Sequence, residues 1–126
     1  MIDGFDHVHF ICGDAEAAGK YFETFFGGKI FFRGEMGGLP VVRLDLHGVN
    51  VFIFGAQPGQ GQFEVRKGMR GLEHIGLKVK DLARAVEELK KKGAKFSVEP
   101  SVTPAGAKYA FMDGPDGMTI ELIERK

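Results

Sequence analysis

The chain carries one short pattern twice. Asp6-His7-Val8-His9-Phe10-Ile11-Cys12-Gly13-Asp14 matches Glu73-His74-Ile75-Gly76-Leu77-Lys78-Val79-Lys80-Asp81 at an offset of 67 residues, both at the first histidine and at the closing aspartate. Each copy alternates as a strand does and ends on an Asp suited to capping a helix. A unit of about 60 residues buries little core alone. The two units are therefore expected to share their apolar faces, either within one chain or by exchange between two copies. The sequence leaves both arrangements open.

The segment after each Asp has helical period. Residues 15–26 place Ala18, Tyr21, Phe22, Phe25 and Phe26 at helical spacing, and residues 82–92 place Leu82, Ala85, Val86 and Leu89 likewise. Glycines close both segments, Gly27-Gly28 in the first and Gly93 in the second. Strands are then predicted over 29–33, 41–46 and 49–54 in the first half, and over 95–98, 108–112 and 118–123 in the second. Asp113-Gly114-Pro115-Asp116-Gly117 is a hairpin signal. The fold class is α+β: two tandem βαβββ units, with mixed sheets forming a cupped cleft and helices outside. One domain over 1–126 is expected, with units over 4–56 and 71–126 and a Gly- and Gln-containing linker over 57–70.

Charge and composition remove several function classes. Lys plus Arg and Asp plus Glu both number 17, so the formal net charge is zero. Nothing in that balance attracts nucleic acid or an anionic membrane. No apolar run approaches the roughly 18 residues of a membrane span. The start, Met1-Ile2-Asp3-Gly4, lacks a basic region followed by an apolar stretch, so a cytoplasmic protein is expected. The single Cys12 excludes an intrachain disulfide, and its place at a strand end argues for packing. Gly34-Glu35-Met36-Gly37-Gly38 lacks the spacing and the Lys of a phosphate cradle. Twelve Phe against two Tyr and no Trp suggest a Phe-rich core and an apolar pocket lining.

The duplicated unit and two of its stretches resemble the vicinal oxygen chelate superfamily. That group includes glyoxalase I, methylmalonyl-CoA epimerase, extradiol dioxygenases, fosfomycin-resistance enzymes and bleomycin-binding proteins. The first stretch, Phe111-Met112-Asp113-Gly114-Pro115-Asp116-Gly117-Met118-Thr119-Ile120-Glu121-Leu122, is similar to the family's F-x-D-P-D-G-x-x-I-E-L, with Gly114 inserted. The second, Glu73-His74-Ile75-Gly76-Leu77-Lys78-Val79, is similar to its metal-binding first strand. The resemblance implies a divalent metal held by His7, His74 and Glu121. Two imidazoles and a carboxylate suit Fe, Mn, Ni, Co or Zn with open positions for water or substrate. In the glyoxalase and epimerase patterns a fourth ligand, Glu or Gln, stands where repeat alignment places Phe52 here.

Local geometry offers replacements. If Gly48-Val49 is the turn, Asp45 pairs with Phe52 and Arg43 with Phe54. Alternation then places Arg43, Asp45, His47, Asn50, Phe52 and Phe54 on one mixed face, while Val42, Leu44, Leu46, Val51 and Ile53 form an apolar face. Asp45 is thus a candidate general base or displaced ligand. His9, two residues after His7, shares its side of the strand and is a candidate acid–base group or ligand. The fourth position is left to water, Asp45 or His9. Arg43, Phe52, Phe54, Tyr109 and Phe111 are candidate substrate contacts, Arg43 for a carboxylate or phosphate. His47, beside the turn, reads as structural.

The resemblance implies a small metal-dependent enzyme acting on a small-molecule substrate through a metal-stabilised enolate, glyoxalase-I-like or epimerase-like. Alternatives are an Fe(II) extradiol-type dioxygenase on an aromatic diol, a fosfomycin-type resistance enzyme, and a non-catalytic ligand-sequestering protein. The dioxygenase and fosfomycin patterns show Tyr where this chain has Phe111. A homodimer is expected, with no nucleic-acid or membrane partner.

Overall fold

The structure, a computed structural model, describes residues 1–62 and 70–126. Half of the predicted linker, residues 63–69, lies outside the described residues. The chain divides into two compact units, Met1–Gly61 and Gln62–Lys126, each with the predicted βαβββ order. The first comprises β1 (His7–Cys12), α1 (Ala15–Phe26), β2 (Lys29–Met36), β3 (Leu39–Leu46) and β4 (Val49–Gly55). The second comprises β5 (His74–Lys78), α2 (Leu82–Lys91), β6 (Phe96–Val102), β7 (Lys108–Asp113) and β8 (Thr119–Glu124). Each unit holds a four-stranded mixed sheet, ordered β1-β4-β3-β2 and β5-β8-β7-β6. The first strand of each runs parallel to the last, and the other pairs are antiparallel.

The two repeat aspartates do the same work. Asp14 accepts a hydrogen bond from the Ala17 amide at 2.9 Å, and Asp81 accepts one from the Arg84 amide at 3.0 Å. Each satisfies an amide that the first helical turn cannot. Helix α1 ends at Gly27, whose φ of 68° is left-handed and whose N–H turns back to the Phe22 and Glu23 carbonyls.

Each helix packs on one face of its own sheet. Ala15, Ala18 and Phe22 of α1 are buried, with Val42, Leu44 and Leu46 of β3 and Val51 and Ile53 of β4. Gly19 lets helix and sheet approach, since a Cβ there would stand 2.9 Å from Val42 Cγ1. In the second unit Leu82, Val86 and Leu89 are buried, with Ala110, Met112, Ile120 and Leu122. The opposite face of each sheet is left for other work.

Two local expectations need correction. Strand β2 runs to Met36 and the turn is Gly37-Gly38, both at positive φ, so the Gly-rich segment belongs mostly to strand. The β3–β4 turn is His47-Gly48, not Gly48-Val49. Both turn residues have positive φ, 52° and 96°, as a two-residue turn of matching twist requires. Asp45 accordingly pairs with Asn50, and Arg43, not Asp45, pairs with Phe52. The shift is by two residues, so Arg43, Asp45, Asn50, Phe52 and Phe54 keep their common face. His47 leaves that face. Its Nε2 lies 2.6 Å from the Phe26 carbonyl, placing it at the end of α1.

Candidate metal centre

In the second unit the open sheet face gathers four of the predicted site residues. His74 stands on β5, Glu121 on the adjacent β8, and Phe111 and Tyr109 on β7. Glu121 pairs with Gly76 on one side and Phe111 on the other. Gly76 has no side chain to separate His74 from Glu121, and a Cβ there would meet nothing within 4 Å. His74 Nε2 lies 2.7 Å from Glu121 Oε2. Glu121 is only 15% exposed and His74 29%, so both are drawn out of bulk water. Phe111 meets the His74 ring edge-on, with centroids 5.2 Å apart, and Tyr109 meets Phe111 at 5.6 Å.

The other nitrogen of His74 is engaged too. Nδ1 lies 3.1 Å from Glu73 Oε1. A carboxylate only accepts, so Nδ1–H donates to Glu73 and Nε2–H donates to Glu121; a divalent ion binding there would displace the Nε2 proton. The first unit repeats this device. His7 Nδ1–H donates to Asp6 Oδ2 at 2.6 Å, directing the His7 lone pair to Nε2. A carboxylate on the far nitrogen is how ligating imidazoles are commonly oriented. The sequence motifs do not by themselves single out Asp6 and Glu73. A signal for them is nonetheless present: an acidic residue directly precedes the first histidine in both copies.

The first unit otherwise departs from the second. Phe52 pairs with His9 and Arg43, as Glu121 pairs with Gly76 and Phe111, so Phe52 occupies the position equivalent to Glu121. It stacks on His7, rings 4.3 Å apart and 7° from parallel. His9 packs on Phe54 at 4.3 Å. On the other side the Arg43 guanidinium carbon lies 4.1 Å from the Phe52 ring centre. Asp45 shares the face, but its Oδ1 accepts from the Gly48 amide at 2.9 Å. That bond ties the carboxylate to the hairpin turn.

The structure thus brings His74, Glu121, Phe111 and Tyr109 together in one unit, and His7, His9, Phe52, Phe54 and Arg43 together in the other. Among the described residues no three His, Cys, Asp or Glu side chains form a metal-sized cluster. The second unit supplies a two-donor set, one imidazole nitrogen and one carboxylate, which fits a borderline divalent ion needing further donors. A cavity of about 320 Å³ in the same unit lies at the start of α2, lined by Lys80, Ser101, Lys108 and Glu124, and none of the donors borders it. Glu124 spans that place, accepting from the Leu82 amide at 2.8 Å. Among the described residues no helix is long and apolar enough to cross a membrane.

The family model of the Glyoxalase/Bleomycin resistance protein/Dioxygenase superfamily matches residues 4–122. A probable chloroplastic lactoylglutathione lyase of Arabidopsis thaliana is 45% identical over 56 residues, covering 44% of this chain and 16% of that protein. This chain therefore spans a minor part of that relative. The crystal structure of a glyoxalase family protein from Enterococcus faecalis superimposes with a TM-score of 0.82 at 20% identity, over 97% of this chain and 98% of that one. The fosfomycin resistance protein FosX of Listeria monocytogenes, solved with Mn(II) and sulfate, superimposes with a TM-score of 0.75 at 14% identity, over 100% of this chain and 95% of that one. At those identities the two structures speak to fold alone.

Proposed function

Because the chain belongs to the Glyoxalase/Bleomycin resistance protein/Dioxygenase superfamily, we propose that it is a small metal-dependent lyase or isomerase. The observation that carries this reading is the His74–Glu121 pair at 2.7 Å, with Glu73 orienting the imidazole from behind. Both residues offer donors suited to Fe, Mn, Ni, Co or Zn. His7, oriented by Asp6 in the same manner, is the third ligand of the proposal, taken from the resemblance. When bound, such an ion polarises a substrate oxygen and stabilises the negative charge of an enolate. The chain's own residues would orient the ligands, through Asp6 and Glu73, with Phe52 against His7 in the first unit and Phe111 against His74 in the second. His9, packed on Phe54 and otherwise exposed, is the proposed proton carrier. Asp45 is the less favoured one, because the Gly48 amide already holds its carboxylate.

A second reading is an Fe(II) dioxygenase acting on an aromatic diol. Phe52 favours it: a phenyl ring stands where a fourth ligand would, leaving two imidazoles and one carboxylate, the set of oxygen-activating iron sites. The test is an assay of metal-reconstituted protein. Conversion of the methylglyoxal–glutathione hemithioacetal, or epimerisation of an acyl-CoA thioester, with Ni, Co, Zn or Mn supports the first reading. Catechol-dependent oxygen uptake with Fe(II) alone supports the second. Ligand binding without turnover under any metal leaves a sequestering protein and rejects both.

A further inference from the structure

The open face of the first sheet carries a stack that crosses all four strands. From β1 to β2 it runs His7, Phe52, Arg43, Phe31. His7 lies flat on Phe52 at 4.3 Å. Arg43 lies 4.1 Å from the Phe52 ring centre and 5.1 Å from that of Phe31. A β-bulge between Ile30 and Phe32 inserts Phe31 beside Arg43, which is what supplies the second ring. The guanidinium is therefore flanked by two π-systems.

Stacking occupies the faces of a guanidinium and leaves its edge. All five N–H donors lie in that plane. Among the described residues, Arg43 Nε is buried with no hydrogen-bond partner. Asp45, the carboxylate on the same face, spends its Oδ1 on the Gly48 amide, and no ion pair joins it to Arg43 among the described residues. A buried, unpartnered charged donor is costly to a fold; Arg43 as a whole is part-exposed, so an anion can approach the guanidinium edge and, by drawing it out, relieve that cost.

We propose that Phe31, Arg43 and Phe52 form a receptor for the carboxylate of a small organic anion. A carboxylate is planar and pairs with the guanidinium edge within the slot between the two rings. A tetrahedral phosphonate pairing with the same edge directs further oxygens out of that plane, toward the negative ring faces. The slot therefore selects carboxylate over phosphonate. Phe52 is shared between the guanidinium and His7, so a bound carboxylate is held two strands, roughly 10 Å, from the first-unit imidazole. The inference rests on the metal-enzyme reading and deepens it by naming a substrate class, yet it can fail separately from it.

The experiment titrates the 126-residue protein with benzoate and, separately, phenylphosphonate, which share one ring and differ in the anion. Metal is stripped beforehand and the chelator removed by dialysis, so neither metal nor a competing carboxylate is present. The readout is the ¹H–¹⁵N resonance of Arg43 Nε–H together with the dissociation constants. Benzoate is expected to shift that resonance saturably and to bind at least about tenfold more tightly than phenylphosphonate. Arg43→Lys, which keeps the charge but loses the planar fork, is expected to weaken benzoate at least about tenfold. No saturable shift with benzoate, equal or tighter binding of phenylphosphonate, or equal benzoate binding by Arg43→Lys would overturn the proposal. Should Arg43→Lys fold poorly, the two probes on the unaltered protein still decide it.

Discussion

At the scale of single residues, the two histidines that open the repeat differ in their neighbours but are alike in how they are held. Asp6 and Glu73 each accept a hydrogen bond from Nδ1–H and leave Nε2 as the nitrogen available to a metal. Glu73→Gln still accepts that hydrogen bond but no longer places a negative charge behind a metal-bound imidazole. We expect Glu73→Gln to weaken divalent-metal binding about 10- to 100-fold while leaving the thermal midpoint of the metal-free protein unchanged. Competition titration with a colorimetric chelator reads the first and calorimetry the second. Unchanged metal affinity would show that Glu73 merely contacts a surface histidine. In the core, Phe22 is fully buried and stacks on Phe10 at 5.9 Å. Phe22→Ala is expected to cost about 3–5 kcal/mol, measured by urea unfolding.

At the scale of elements, the repeat made both helices and their caps legible, because an Asp followed by a 3.6-residue period leaves few alternatives. The β3–β4 turn was less legible. Gly48 is the obvious turn residue, but a two-residue turn needs positive φ at both central positions, and nothing marks His47 as the second. The neighbouring contact explains its choice: His47 bonds the Phe26 carbonyl at the end of α1, which offsets the strain of a left-handed backbone. Misplacing the turn by one residue moves every cross-strand partner by two and puts Asp45 where Arg43 stands. It leaves the faces intact, which is why the open-face residues are readable from sequence while their pairing is not. The β2 bulge is similarly silent in sequence, and so the Arg43 stack was out of reach. Gly48→Ala, at φ 96°, is expected to destabilise the fold by at least about 1 kcal/mol in the same unfolding assay. Asp14→Ala, which removes the bond to the Ala17 amide, is expected to cost about 1 kcal/mol.

At the scale of the whole molecule, the first sheet leaves large apolar side chains in water, among them Ile11 at 48% and Met36 at 54% exposure. The expected homodimer remains our proposal for covering such surface. Sedimentation equilibrium at twice 13.8 kDa would support it, whereas a monomer at all concentrations would reject it. If the chain is a metal enzyme, Glu121 and His74 form a metal site rather than a surface ion pair. The most direct test is plasma mass spectrometry of metal-reconstituted, desalted protein, comparing wild type with His74→Ala and Glu121→Gln. Near-stoichiometric Fe, Mn, Ni, Co or Zn is expected in the wild type, with loss of it in both variants, each still folded by circular dichroism. Equal metal in all three proteins, or none in the wild type after reconstitution, would contradict it.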